Sequence, residues 1–254
     1  MGWDFETDQE FQLELDWIEN FVREEIEPLD FIVKNPFDLN DPIRQEIIPP
    51  LQRQVQERGL WACHLGPELG GLGYGQVKLA LMNEILGRAR SASTIFGCQA
   101  PDIGNIELLS MFGNDQQKET YLRPLMAGEI RSCIAMAEPD RPGSNPTWLD
   151  TNAVLDDDEY VINGRKWFTS CVDGAAFCIV MAVTNPDEES RHKRASMIIV
   201  PTNTPGFEIV RNIPIMGDVG KGFFSHGEVQ YTNVRVPKEN IIQTPGDGFR
   251  LAQE

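Results

Sequence analysis

The chain has 254 residues, 41% of them hydrophobic and 24% charged, which is typical of a globular protein of one or two domains. Its net charge of −17 disfavours nucleic acid as a partner, because binding to nucleic acid depends on Lys and Arg that neutralise phosphates. No apolar run approaches the ~18 residues that span a membrane. The N-terminus lacks the basic and apolar regions of a secretory signal, so we expect a cytoplasmic protein.

Five cysteines and three histidines are scattered along the chain. None of them has the spacing of a zinc site or of a C-x-x-C redox pair, and the pattern H-E-x-x-H is absent as well. We therefore expect free, mostly buried thiols and no metal site.

The first half of the chain has the periodicity of helices. Residues 7–10 form a capping-box pattern at the start of the first helix, which we expect to end at Pro28. The apolar residues of this helix recur at helical spacing, at Phe11, Leu15, Ile18 and Val22.

A second helical stretch starts at Pro42, is expected to break at Pro49 and Pro50, and resumes up to Gly59. Three further short helices are predicted over residues 77–86, 103–111 and 115–126, each followed by a glycine. Short helices joined by short connections indicate an antiparallel bundle.

Glycines recur in residues 70–75, Gly-Gly-Leu-Gly-Tyr-Gly, between two predicted helices. This run does not match G-x-G-x-x-G, and no β-branched strand precedes it, so a connecting loop is favoured over a dinucleotide-binding loop. The chain also lacks the G-x-S-x-G elbow and the Walker motif, which removes the usual support for hydrolase and P-loop chemistry.

Beyond about Arg131 the pattern changes to short strands separated by Pro and Gly turns. The acidic residues 156–159 are flanked by two apolar runs and predict the tip of a hairpin. Asn163 and Gly164 indicate a turn. Further strands are predicted over residues 166–169, 178–183, 195–201, 207–210 and 227–236. This spacing fits a small barrel or sandwich, after which residues 249–254 begin another helix.

Two segments have the chemistry of a ligand site. Residues 135–139 run off a strand into a polar loop, which offers backbone N–H groups and the Ser144 hydroxyl to an anionic or heteroaromatic ligand. Residues 166–170 alternate aromatic rings with hydroxyls, so they can stack on a flat ring and hydrogen-bond its edge. On composition alone both patterns are more often structural than functional, because aromatic residues and turns in a barrel mostly pack.

Taken together, five collinear segments resemble the acyl-CoA dehydrogenase family over essentially the whole chain. They are the glycine-rich residues 59–73, the segment 96–105, the first flavin signature 137–144, the second flavin signature 160–170 and the junction 234–249. The two signatures read Ala-Glu-Pro through Ser144 and Tyr-Val-Ile-Asn-Gly-Arg-Lys-Trp-Phe-Thr-Ser. A single such segment would be a weak indication, whereas five in order are a strong one.

The resemblance implies an α+β fold. An N-terminal antiparallel helical domain would occupy residues 1–130 and a small β-barrel middle domain residues 131–242. Residues 243–254 would start a C-terminal four-helix domain that is otherwise missing. The implied activity is that of an oxidoreductase of fatty acid and lipid metabolism, which dehydrogenates acyl-CoA thioesters with FAD as the hydride acceptor while a carboxylate removes the α-proton.

The same resemblance assigns site residues. The flavin would lie against Ile134, Ala135, Met136, Ala137, Phe168, Thr169 and Ser170. The Ser170 hydroxyl would lie near the flavin N5 atom, and Ser144 near both the flavin and the thioester arm of CoA. Gln99 and Asp102 would border the acyl pocket.

Three of these neighbourhoods depart from the family pattern. Ala137 stands where the family usually has Thr, Phe168 where it usually has Trp, and Asn145 where it usually has Asp. One hydroxyl at the flavin edge and one indole N–H are therefore lost. We expect FAD to bind somewhat differently or less tightly, although backbone groups supply most of the hydrogen bonds.

In this family the catalytic glutamate and much of the CoA grip lie in the C-terminal helices, so we expect an incomplete chain without a catalytic base of its own. Neither Glu138 nor Glu254 is assigned as that base. The implied partners are acyl-CoA, an electron-transfer flavoprotein or similar acceptor, and other chains in a homo- or hetero-oligomer. Two alternatives stay open: a non-catalytic short subunit that completes its site only with a partner chain, and an acyl-CoA oxidase-like enzyme.

Overall fold

The structure, a computed structural model, describes residues 7–36, 38–69, 71–217, 219–220 and 225–253. The chain divides into two compact units, Met1–Ile103 and Gly104–Glu254. These units do not test the domain boundaries expected after residues 130 and 242, which stay predictions.

Helices make up the regular structure of the first unit in its described part. The α-helices are α1 (Gln9–Phe21), α2 (Pro42–Glu57), α3 (Gly75–Leu86), α4 (Ala92–Ile95) and the start of α5 (Asp102–Phe112). A π-helical turn (Val22–Ile26) and two 3-10 turns (Glu27–Phe31 and Pro67–Leu69) complete the set. The residues predicted to face the core from the first helix, Phe11, Leu15, Ile18 and Val22, are all buried.

The start and the end of the first helix differ from the prediction. Asp8, not Thr7, is the N-cap, because its carboxylate accepts a hydrogen bond of 2.8 Å from the Phe11 N–H. The helical path does not stop before Pro28 but passes through it in the 3-10 turn Glu27–Phe31. A proline is tolerated there because it occupies one of the first positions of that turn, where its missing N–H would have no intrahelical acceptor.

The break expected at Pro49 and Pro50 is wrong, since α2 runs through both prolines. A proline inside a helix costs about 3 kcal/mol. Ile48 and Leu51 flank the pair and are 0% and 7% exposed, so core packing on both sides offsets that cost. Of the glycine-rich run, Gly70 lies outside the described residues, while residues 71–74 form the predicted loop before α3.

The second unit holds the remaining helices and, in its described part, one sheet of seven strands. The helical segments are the rest of α5, α6 (Asp115–Gln117), a π-helical turn (Lys118–Leu122), α7 (Arg123–Met126), two 3-10 turns (Arg191–Lys193 and Lys238–Asn240) and α8 (Gly248–Leu251). The strands are β1 (Ser132–Ala135), β2 (Asn152–Asp156), β3 (Glu159–Ser170), β4 (Phe177–Val183), β5 (Ala195–Pro201), β6 (Phe207–Asn212) and β7 (His226–Pro237).

The sheet is mixed and curled. Its strand order is β1-β4-β2-β3-β7-β6, with β5 on the other edge of β4. Strands β1 and β2 both pair in parallel with β4, whereas all other pairs are antiparallel. The long strands β3 and β7 shift register twice, which bends the sheet into part of a barrel. The predicted α+β fold class is therefore confirmed, the barrel being an open, curled sheet.

The acidic hairpin is confirmed, but the turn expected at Asn163–Gly164 is wrong. Asp156 and Glu159 are cross-strand partners at the tip between β2 and β3. Gly164 lies inside β3, at the first register shift of its pairing with β7. The dipeptide that usually closes a hairpin lies here opposite a β-bulge, in which β7 contributes one residue more than β3. Gly164 has a φ of +151°, which other residues rarely adopt.

Candidate functional site

The first signature leaves the sheet at the end of β1. Strand β1 pairs with β4 so that Ile134 and Ala135 lie opposite Ile179 and Val180. Ala135 is buried and Ile134 half-buried, and the chain then leaves the ladder with Met136 and Ala137 both half-exposed. The backbone of this segment, which we call the cradle (residues 134–138), is thus fixed at its base by the parallel sheet and open beyond it.

The cradle is tied to β3 by a buried ion pair. Lys166 is 0% exposed, and its Nζ donates to the Met136 carbonyl and to Glu138 Oε1, each at 2.9 Å. Glu138 is also buried, and its Oε1 and Oε2 accept from the Thr151 N–H at 2.9 Å and the Asp150 N–H at 2.7 Å. Both carboxylate oxygens are therefore occupied, and the carboxylate points into the protein.

The buried surroundings shift the pKa of both members of this pair. Burial raises the pKa of Glu138, but the charge of Lys166 and the hydrogen bonds that Glu138 accepts outweigh it and hold the pKa below its ordinary value of 4.5. Burial lowers the pKa of Lys166 from its ordinary 10.5, while Glu138 opposes that shift. A carboxylate with a lowered pKa and occupied oxygens is a poor proton acceptor, so Glu138 has a structural role here.

The second signature contains a β-bulge. The register between β3 and β7 shifts between Lys166 and Thr169, and Phe168 has a φ of +48°, which non-glycine residues seldom adopt. The Trp167 N–H donates to the Ala137 carbonyl at 3.1 Å, which joins the bulge to the cradle. The Phe168 ring is 43% exposed and meets the Trp167 ring edge-on at 5.0 Å. Bulges of this kind often re-aim a side chain beside a functional site.

The two hydroxyls that follow Phe168 differ in their surroundings. Thr169 is 1% exposed, and its Oγ1 has no hydrogen-bond partner among the described residues. Ser170 is half-buried, and its Oγ lies 2.7 Å from Nδ1 of His226 on β7. Phe168 and Ser170 thus point away from the interior, whereas the Thr169 side chain points into it.

Ser144 lies on the exposed loop that follows the cradle. A Cβ placed on Gly143 would lie 3.8 Å from the Ala137 side chain, so the loop returns to the cradle at this point. The Arg141 guanidinium pairs with both oxygens of Asp150 at 2.6 Å and holds the two ends of the loop together. Ser144 itself is exposed and sits one residue beyond the contact.

Gln99 and Asp102 belong to the first unit. Gln99 Nε2 donates to Asp102 Oδ2 at 2.9 Å, and both side chains are buried. Gln99 Oε1 is buried as well and has no partner among the described residues. Their predicted place at an acyl pocket stays a prediction.

Sequence reasoning found both signatures but not the side chains that hold them. Lys166 stood inside the second signature without a role, and His226 was noted only as one of three dispersed histidines. A lysine within an alternating apolar strand is a signal that could have been used, since buried lysine almost always has an acidic partner. No sequence signal would have indicated His226.

The two signatures, joined by the hydrogen bond from Trp167 to Ala137 and by the Lys166–Glu138 pair, agree with the comparisons to known proteins. The family description "Acyl-CoA dehydrogenase, N-terminal domain" matches residues 8–129, and "Acyl-CoA dehydrogenase, middle domain" matches residues 133–234. The chain belongs to the acyl-CoA dehydrogenase family. Within the described residues, no helix is long and apolar enough to cross a membrane.

Similar proteins of this family come from animals and bacteria. Acyl-CoA dehydrogenase family member 11 of Pongo abelii is 37% identical over 243 residues, which are 93% of this chain and 31% of that protein. Probable acyl-CoA dehydrogenase FadE2 of Mycobacterium tuberculosis is 41% identical over 213 residues, which are 82% of this chain and 50% of FadE2. A solved Mycobacterium abscessus structure, assigned to the acyl-CoA dehydrogenases, has a TM-score of 0.85 at 35% identity and covers 98% of this chain and 63% of its own. The chain therefore spans less than two thirds of the length of each of these relatives.

Proposed function

We propose that this chain forms the flavin-facing part of an FAD-dependent acyl-CoA dehydrogenase, an oxidoreductase that introduces a Cα–Cβ double bond into acyl-CoA thioesters. The observation that carries this proposal is the junction of the two signatures. The cradle and the bulge of β3 are linked by Lys166, Glu138 and the hydrogen bond from Trp167 to Ala137. Two segments far apart in sequence thereby present one continuous edge to a ligand.

The residues at this edge fit an isoalloxazine ring. The exposed face of Phe168 can stack on a flat heteroaromatic ring, and its unusual backbone conformation is what turns it outwards. Met136 and Ala137 are half-exposed and can turn backbone N–H groups to the polar edge of such a ring, and Ser170 lies two residues beyond the stacking position. Bound FAD would supply the redox chemistry by accepting the hydride.

The chain's own residues then divide the remaining tasks. Phe168 holds the plane of the cofactor, and the backbone of residues 134–137 fixes its edge. Ser170 supplies a hydroxyl toward the reacting edge, and Ser144 lies where the thioester arm of the substrate would pass. Gln99 and Asp102 would border the acyl chain. The family resemblance implies all of these roles, and the exposure of Phe168, Ser170 and Ser144 supports the ones assigned to the second unit.

The α-proton requires a carboxylate other than Glu138. Glu138 is buried, accepts three hydrogen bonds and pairs with Lys166, so it cannot turn towards a substrate without breaking the cradle. We place the general base outside the two signatures, in a part of the assembled enzyme such as the relatives' longer chains provide. An electron-transfer flavoprotein as the acceptor and a homo- or hetero-oligomeric assembly belong to the same proposal.

An anaerobic visible titration tests this function. The purified chain would be loaded with FAD and titrated with a mixed set of acyl-CoA thioesters, with free FAD under the same conditions as the control. We expect the flavin bands to shift without bleaching, because no carboxylate of the cradle is available to remove the α-proton. Bleaching by the chain alone would contradict the placement of the base, and an unshifted spectrum would contradict a substrate site beside the flavin.

The same experiment in air separates the remaining alternatives. Peroxide released in step with substrate consumption would indicate an acyl-CoA oxidase-like enzyme and overturn the proposed acceptor. Bleaching that appears only after a helical partner chain is added would indicate a subunit that completes its site with that partner. Peroxide release is not expected if an electron-transfer flavoprotein is the acceptor.

A further inference from the structure

Ser170 and His226 face each other across the pair of strands that carries the second signature. They are direct partners in the register of β3 and β7, and Ser170 Oγ lies 2.7 Å from His226 Nδ1. The backbone around them is held on both sides, because the Cys171 N–H donates to the Ser225 carbonyl at 2.9 Å and the Ile213 N–H to the His226 carbonyl at 2.8 Å. The backbone that carries both residues is therefore held in place, and the imidazole lies against the hydroxyl.

A hydroxyl group placed between two partners can donate its single proton to only one of them. Its oxygen can then accept from the other. Neutral imidazole can take either part, since Nδ1 is a donor in one tautomer and an acceptor in the other. His226 can therefore accept from Ser170 or donate to it without any movement of heavy atoms.

We propose that His226 is a positioning residue that sets the direction of the Ser170 hydroxyl and reverses it when the bound flavin changes redox state. This inference rests on the proposed function, in which Ser170 faces the flavin N5 atom. Oxidised flavin presents an unprotonated nitrogen there, so Ser170 donates forward and accepts from the Nδ1–H of His226. Reduced flavin presents an N–H, so Ser170 accepts from it and donates back to an unprotonated Nδ1.

As a consequence, the Ser170 hydroxyl would keep its hydrogen bond to the flavin N5 position in both redox states. If the only other partner of Ser170 were a backbone carbonyl, donation to the flavin would leave that carbonyl without its hydrogen bond, because a carbonyl never donates. With His226 behind it, Ser170 has a complementary partner on both sides in either state. The proton that moves on Nδ1 is balanced by one at Nε2, so the pair keeps the same charge.

Nitrogen NMR of the histidine side chains tests this inference, because the chemical shift of a ring nitrogen reports whether it is protonated. The chain contains three histidines, so the spectrum of ¹⁵N-histidine-labelled protein is simple, and a His226→Asn variant assigns the signals. Spectra would be recorded with bound FAD, before and after anaerobic reduction with dithionite. We expect Nδ1 of His226 to be protonated with oxidised FAD and unprotonated with reduced FAD.

Three variants separate this role from a merely structural one. Ser170→Ala should abolish the change of tautomer, because the hydroxyl that transmits it is gone. His226→Asn keeps one donor and one acceptor near the same position and should keep the affinity for oxidised FAD within about twofold, whereas His226→Leu should weaken it by about three- to tenfold, the equivalent of one lost hydrogen bond.

The possible failures can be told apart. An Nδ1 with the same protonation in both redox states, or a change that persists in Ser170→Ala, would overturn this inference and leave the flavin cradle in place. A wild-type chain that binds no FAD would overturn the proposed function and this inference with it.

Discussion

Lys166 is a lysine whose whole side chain is withdrawn from water, and its ammonium ends between a carbonyl and a carboxylate of the cradle. Such a pair adds little net stability compared with apolar residues of the same size, because desolvation of both charges offsets their attraction. The contribution of the pair here is to fix the position of the cradle. Met136 and Glu138 are held against β3 by a single group, which positions the backbone that we propose to face the flavin.

Lys166→Met should destabilise the protein by about 3–5 kcal/mol, because it leaves the Glu138 carboxylate buried and unpaired. Lys166→Met combined with Glu138→Gln should recover part of that loss, since no charge is then buried. Urea unfolding followed by circular dichroism measures both, with Lys34→Met on the exposed surface as the matched control. Equal losses in the single and double variants would contradict an ion pair at this place.

The same pair predicts a dependence on pH. The folded pKa of Glu138 lies below its ordinary value of 4.5, so its contribution to stability is present above pH 4.5 and is lost as the pH falls through the lowered pKa. Glu138→Gln should therefore flatten the acid side of the stability profile. Unfolding free energies between pH 3 and pH 7 test this, and a profile of unchanged slope in the variant would refute it.

The sequence identified the site residues only as segments. The residues 134–137 and 168–170 could be assigned from the two signatures, but the direction of each side chain depends on the bulge at Phe168. A positive φ at a phenylalanine cannot be inferred from residue type, because phenylalanine rarely adopts it. The partners of Lys166 and Ser170 come from strands distant in sequence, so local patterns do not show them.

At the scale of elements, the pairing of β3 with β7 shifts register twice, and Gly164 lies at the first shift. A Cβ at this position would lie 2.6 Å from Cα of Thr151, well inside van der Waals contact. The close approach of β3 to the residue before β2 therefore requires glycine. The dipeptide Asn163–Gly164 was mistaken for a turn because the same backbone freedom serves both purposes.

Gly164→Ala should destabilise the protein by about 1–3 kcal/mol through overpacking, in addition to the strain of its backbone conformation. Gly174→Ala is the matched control, since Gly174 also has a positive φ, of +99°, but no heavy atom within 4 Å of the added Cβ. Thermal unfolding of the two variants distinguishes the steric contact with Thr151 from the backbone strain that both substitutions cause. A loss in Gly164→Ala no greater than in Gly174→Ala would show that Thr151 does not restrict this position.

The positions of the helices, unlike the shape of β3, could be predicted from the sequence pattern. Apolar spacing located α1, α3 and α5 within a few residues, because burial determines where such helices lie. Prolines were a less reliable signal for the end of a helix. Pro49 and Pro50 lie within α2 because Ile48 and Leu51 are buried, so packing overrode the propensity of proline to end a helix.

At the scale of the whole molecule, the change from helical to strand periodicity near residue 131 was enough to predict an α+β chain. The order of the strands was not predictable, because β1 and β2 both pair in parallel with β4 across long sequence separations. That pairing places the end of β1 beside the bulge of β3. The arrangement of the cradle is thus a property of the sheet topology and not of either signature alone.

The central claim is that the cradle and the bulge bind FAD, and the most direct measurement is an equilibrium titration of FAD followed by quenching of flavin fluorescence. Phe168→Ala should weaken binding by about two- to tenfold, because it removes a stacking interaction worth about 0.5–1.5 kcal/mol. Phe31→Ala removes an exposed ring of the first unit that lies outside both signatures, and it should leave the affinity unchanged. Wild-type protein that fails to quench flavin fluorescence, or equal affinities in Phe168→Ala and the wild type, would contradict the claim.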